Sequence, residues 1–357
     1  MPQPPVFRLP KLSIGMARPV KSRAILPALF LSLVAVGTPP TAPVSAQEIA
    51  DTQRDPVPLE IFQRKEDLLF RVGYRLATAN APFCSASVPT TGLLVHDAYS
   101  YGNPAAVRAL FGLRGDIGVQ SVAPGSPAEL AGLRRNQTIT AVDDMTIEDG
   151  WRKTDPRWER IFSLRDAIDS AVADGPVAIN WYNQDGTIGG GQVGSVPACP
   201  TRFELIDSKR SAAADGRRVL VGENFPGFAY DEAEFAAAIA HEMAHNILRH
   251  PQTFSKTGWK RKLVRLSERD ADRLMPWLLQ NAGYDPRAAV RFMSTWGPRH
   301  GGGLLRKRTH DGWDERVEFI EAEVALLEQV TDPAGRADWK AHFTQVLPPE
   351  LESRNSR

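Results

Sequence analysis

The chain has 357 residues, 42% of them hydrophobic and 24% charged, with a formal net charge of +1. This is ordinary globular usage with room for two domains, and it excludes a low-complexity or collagen-like chain. The near-neutral balance hides an asymmetry: residues 1–46 hold five basic residues and no acidic one, so the remainder is acidic, which argues against nucleic acid as a partner.

Arg18, Lys21 and Arg23 precede an apolar run from Ala24 to Gly37, and Val44-Ser45-Ala46 places small residues where signal peptidase reads them. The pattern predicts a signal peptide over 1–46, cleavage after Ala46 and before Gln47, and an exported protein, periplasmic or secreted. The competing reading is an uncleaved anchor. At about 14 residues the run is short for a bilayer, and no other stretch approaches 18 apolar residues, so no transmembrane span is expected in the mature chain. Leu68, Val72 and Leu76 then recur at helical spacing and predict a helix over Asp67–Asn80, within an N-terminal segment (47–87) that packs on a domain further along.

Cys84 and Cys199 are the two cysteines. In an oxidising compartment they invite a disulfide; two buried free thiols are the alternative. Between them, Gly118 to Val122 reads as a strand, Pro124-Gly125 as a tight turn, and Ser126 to Leu133 as a short helix ended by Gly132. Thr138 to Val142 alternates like a half-buried strand, Ser163 to Ala173 suits a helix, and Val177 to Trp181 suits a strand with Asp185-Gly186 as its turn. This order, with Gly125-Ser126-Pro127-Ala128 and Ala131-Gly132-Leu133, resembles a PDZ domain over residues 88–196. Asn136-Gln137 depart from the Gly-Asp usual in bacterial members, and Thr91-Gly92-Leu93-Leu94 is the candidate loop for a peptide carboxylate. The resemblance implies recognition of extended segments or C-termini by strand addition.

Asp231 with Glu234 reads as a helix start, followed by the helix-favouring run Phe235 to Ala240 and then His241-Glu242-Met243-Ala244-His245. Residues four apart lie one turn above each other, so His241 and His245 can direct ring nitrogens at one cation. Glu242 then borders the open side, where a carboxylate can take a proton from attacking water. His250 falls nine residues after His241, out of step with the ten of the metzincins, and is expected at the end of this helix beside exposed carbonyls. A basic run from Lys256 to Arg265 leads as a solvated face into a second helix carrying Glu268-Arg269-Asp270-Ala271-Asp272. Glu268 is the expected third metal ligand, and Asp272, one turn on, can accept the other ring N–H of a ligand histidine.

With both motifs in view, the chain resembles the zinc metallopeptidases of the M48 family, which carry H-E-x-x-H followed by E-x-x-A-D. Three further segments resemble that family: the strand Arg217 to Val221, the turn Ala282-Gly283-Tyr284-Asp285-Pro286, and Thr309-His310 with Arg316, although Asp311 stands where proline is usual. The resemblance implies an α+β protein: a mainly helical zincin-type peptidase domain (197–347) with a small sheet, an inserted PDZ-like module and a flexible tail (348–357). It implies one Zn2+ per chain on His241, His245 and Glu268, Glu242 as catalytic base, and His310 as an oxyanion stabiliser or a resident of the metal's open position. The expected function is hydrolysis of unfolded or misfolded envelope polypeptides. The alternative is a PDZ-centred peptide-binding or chaperone-like protein with a structural or gated zinc. Val317, Ile320, Val324 and Leu327 predict a last amphipathic helix.

Overall fold

The computed structural model describes residues 58–207, 210–300 and 311–347. The predicted signal peptide, Gly301-Gly302-Gly303, His310 and the tail from 348 lie outside them. Helix α1 (Pro58–Ala79) begins well before the segment expected from periodicity. Its leading half turns a polar face inward. Gln63 is buried, its amide donating to Gln120 Oε1 at 3.3 Å and Asn136 Oδ1 at 2.8 Å, and Asp67 accepts from Ser121 at 2.7 Å. A face buried polar against polar carries no apolar period, which is why the sequence pattern starts late. Of the predicted stripe, Val72 and Leu76 are buried, whereas Leu68 is only partly so and its neighbour Leu69 takes the core position.

The chain continues through β1 (Val88–Thr90), β2 (Leu93–Asp97), α2 (Pro104–Phe111), β3 (Ile117–Val122), α3 (Pro127–Leu130), β4 (Thr138–Val142), β5 (Met145–Thr146), α4 (Ile147–Gly150), α5 (Glu159–Asp174), β6 (Val177–Tyr182), β7 (Ile188–Val193) and β8 (Val196–Ala198). An antiparallel sheet runs in the order β2-β3-β4-β6-β7, with β5 paired on β4. Alternate strand positions (Val95, Ile117, Val119, Ile139, Ile179) meet Leu164, Ile168 and Val172, which recur every fourth residue of α5. Arg160 of α5 donates to both oxygens of Asp97 at 2.7 and 2.5 Å, a buried pair that fixes α5 on β2. At the module's root, β1 pairs with β8 and the disulfide Cys84–Cys199 closes beside them, Cα to Cα 5.6 Å.

A second sheet follows, β9 (Arg202–Ile206), β10 (Ala212–Ala214) and β11 (Arg218–Gly222), with β11 parallel to β9 and antiparallel to β10, so β10 is an edge. The helical body comprises α6 (Glu232–Ile247), α7 (His250–Thr257), α8 (Arg261–Asn281), α9 (Ala288–His300), α10 (Trp313–Val330) and α11 (Trp339–His342). Asp231 caps α6 by accepting the Glu234 N–H at 2.8 Å. Phe235 to Ala240 are buried all round, as expected of a central helix enclosed by α1, α8, α9 and the β10 edge. Leu274, Met275, Trp277 and Leu278 of α8 join that core, each contributing about 1.5–3 kcal/mol by burial. Between α8 and α9 the chain turns through Gly283 at φ +68°, a left-handed conformation that favours glycine, and Arg75 of α1 donates to the carbonyls of Ala282 and Gly283. The whole is mixed α+β. Among the described residues, no helix is long and apolar enough to cross a membrane.

Candidate metal centre and peptide groove

One helix and its neighbour bring the H-E-x-x-H and E-x-x-A-D residues together in a cleft of about 420 Å³. His241 and His245 are buried in the C-terminal half of α6, their Nε2 atoms 3.3 Å apart. Glu268 of α8 faces both rings, Oε2 lying 3.5 Å from His241 Nε2 and Oε1 3.6 Å from His245 Nε2. Ala271, three residues on from Glu268, is fully buried in the core that α8 shares with α6. Ligands at bonds of about 2.0–2.1 Å around a tetrahedral ion stand about 3.3 Å from one another. The three donors have that spacing and the right chemistry for zinc. Among the described residues, these are the group that could hold a metal, which leaves a tetrahedral ion one position for water or substrate.

The charges around the rings are set by their neighbours. Burial opposes a proton on His241, but Asp272 and Glu268 outweigh it and raise the ring to about 10 in the metal-free protein. For His245 burial prevails over Glu268, and the ring falls to about 4. Asp272 Oδ1 lies 3.0 Å from His241 Nδ1, off the ring's N–H axis. Burial alone would raise Asp272, yet Arg316, donating to both its oxygens at 2.5 and 2.7 Å, holds it below the usual carboxylate range. Glu242 lines the same cleft, and burial pushes its carboxyl up to about 7 against the pull of His241. Asp270, the acid between them on α8, serves another purpose: it accepts the N–H groups of Val346 and Leu347 and ties the last described residues to the body.

His250 is not where the sequence reading put it. Helix α6 stops at Ile247, Arg249 takes a left-handed φ of 58°, and His250 opens α7 turned back beneath the site, 1% exposed. Its Nδ1 stands 2.9 Å from His245 Nδ1, and burial followed by His245 lowers its pKa to about 2. The helix break that puts it there carries no glycine or proline before Pro251, so periodicity ran through it. Aromatic side chains line much of the rest of the cleft: Trp259 stacked on Phe254 at 4.5 Å, Trp296 against Phe292 at 5.9 Å, with Phe225 and Trp313. Ser211 to Ala214, on and beside the β10 edge, form one wall.

A second, larger cleft of about 1060 Å³ lies where β2 and α5 meet α1 and β9. Thr91-Gly92 lead into β2, whose Leu93 and Leu94 line this cleft. Gly92 has φ +70°, and a Cβ on it would fall 2.2 Å from the Ser126 Cβ. The Gly92 and Leu93 N–H groups point at the hydroxyls of Thr90 and Thr91, at 3.4 and 3.1 Å. On the free edge of β2, Arg165 of α5 donates to the Val95 carbonyl at 2.6 Å, a contact over seventy residues that no local pattern signals. Arg202 of β9 bridges to Asp166 and Asp169 of α5 across the same cleft.

Comparison with known proteins bears on the module between the two cysteines. A PDZ domain model matches residues 118–155, the stretch from β3 through α4. PDZ domains bind peptides. No curated protein matches the chain.

Proposed function

We propose that the chain is an exported zinc endopeptidase of the M48 type, in which the PDZ-like module selects unfolded polypeptides for the cleft on α6 and α8. The observation that carries the reading is the convergence of His241 Nε2, His245 Nε2 and the Glu268 carboxylate at 3.3–3.6 Å, with Glu242 beside them. Zinc held by those three would supply Lewis acidity, polarising a scissile carbonyl and making water a better nucleophile.

The chain's own residues do the remainder. Glu242, poised near neutrality by burial, takes the proton that the attacking water gives up as its oxygen bonds to the carbonyl carbon, and returns it to the amine nitrogen as the C–N bond breaks. Asp272, kept ionised by Arg316, holds a negative charge 3.0 Å from His241 Nδ1. The edge of β10 offers backbone groups to an extended substrate, and the aromatic wall suits the apolar side chains that unfolded chains expose. The predicted leader and the disulfide support export.

Metal analysis tests this reading. The purified full chain should hold one zinc, and Glu268→Gln, which removes the anionic ligand, should weaken zinc binding at least about tenfold while remaining folded. Unchanged zinc affinity in that variant would contradict the ligand set.

A further inference from the structure

We infer that His250 is a positioning residue that fixes His245 in the tautomer a metal ion requires. The inference rests on the zinc reading above. His245 can offer a lone pair toward His241 and Glu268 only from an unprotonated Nε2, so its proton must sit on Nδ1. That Nδ1 faces His250 Nδ1 at 2.9 Å, in reach for His245 to donate and His250 to accept.

The opposite arrangement, with His250 donating, puts a proton on His245 Nε2 and blocks ligation. Both arrangements fit the same heavy-atom positions in the metal-free protein, and a metal at Nε2 leaves one. His250 then carries its own proton on Nε2, an atom buried without a hydrogen-bond partner among the described residues. An apolar side chain would fill that space without the desolvation penalty, so space-filling alone does not account for a histidine. The two ligand rings are thus steadied differently: His241 faces the Asp272 carboxylate, His245 a neutral imidazole. A carboxylate raises the basicity of its ligand ring. A neutral acceptor sets orientation with less of that effect.

His250→Leu removes the acceptor, whereas His250→Asn keeps an oxygen near the Nδ1 position. Zinc affinity of the full chain is measured by competition with a chromophoric chelator, with thermal unfolding followed in parallel. The expected result is a loss of about 10–100-fold for the leucine variant and at most about threefold for the asparagine variant. A leucine variant that binds zinc like the wild type, or an asparagine variant as weak as leucine, would overturn the assignment. Wild type that binds no zinc would overturn the zinc reading and this inference with it; a wild type that binds while leucine and asparagine behave alike overturns only the role of His250. If the leucine variant does not fold, 15N shifts of the zinc-loaded wild type decide: His250 protonated at Nε2 alone supports the assignment, and a proton on its Nδ1 refutes it.

Discussion

Buried ionisable side chains in this protein are held in opposite states by what they face. Asp272 stays charged because a guanidinium grips both its oxygens, whereas His96 stays neutral because nothing anionic compensates its burial. His96 lies on β2 with Nδ1 3.4 Å from the Tyr101 hydroxyl, its ring against Phe111, and Nε2 unpartnered among the described residues. Burial, reinforced by the Arg165 cation, lowers its pKa to about 3. That value lies below the unfolded one of about 6.5, so acid protonates the unfolded chain first. The resulting stability is fully present above pH 6.5 and is lost as pH falls toward 3, at about 1.4 kcal/mol per unit. His96→Gln should lack this part of the acid slope in urea unfolding between pH 6.5 and 4. Identical slopes for the two proteins would contradict it.

At the scale of elements, α1 and the disulfide decide how the PDZ-like module is mounted. Helix α1 presents apolar residues to the helical body and polar ones to β3 and the turn at Asn136, so one helix serves both. The disulfide joins residues 115 apart at the module's root, and the chain-entropy estimate for a loop of that length is about 4–5 kcal/mol. The double variant Cys84→Ser, Cys199→Ser should therefore unfold at clearly lower urea concentration than the oxidised protein, and an unchanged midpoint would contradict that contribution. These same elements mark the limit of what the sequence made legible. Strands β4 and β6 and helix α8 are readable because apolar residues recur at periods of two or about 3.6, β3 because a Pro-Gly turn closes it, and α6 because a capping residue precedes a helix-favouring run. That His241 and His245 would share one face was readable because residues four apart on a helix lie one turn above each other. The first turns of α1 were not, because their buried face is polar; nor was the turn at Arg249, which breaks α6 without a glycine. Arg165 on Val95 depends on folding across the module, and no window of sequence contains it.

Across the whole molecule, two clefts of different chemistry sit on one chain: a larger one between α5, β2 and β9, bordered by paired arginines and carboxylates, and a smaller aromatic one around the two histidines. The β9-β11-β10 sheet touches both, with Arg202 at the first and the β10 edge at the second. Under the proposed function, a chain held at the module would extend toward the two histidines. Hydrolysis through Glu242 is tested by cleavage of casein by the full chain and by Glu242→Gln, with zinc determined in both. One zinc per chain is expected in each protein, with cleavage by the wild type and a rate at least about a hundredfold lower in the variant. A zinc-loaded variant that cleaves as fast as the wild type would contradict it.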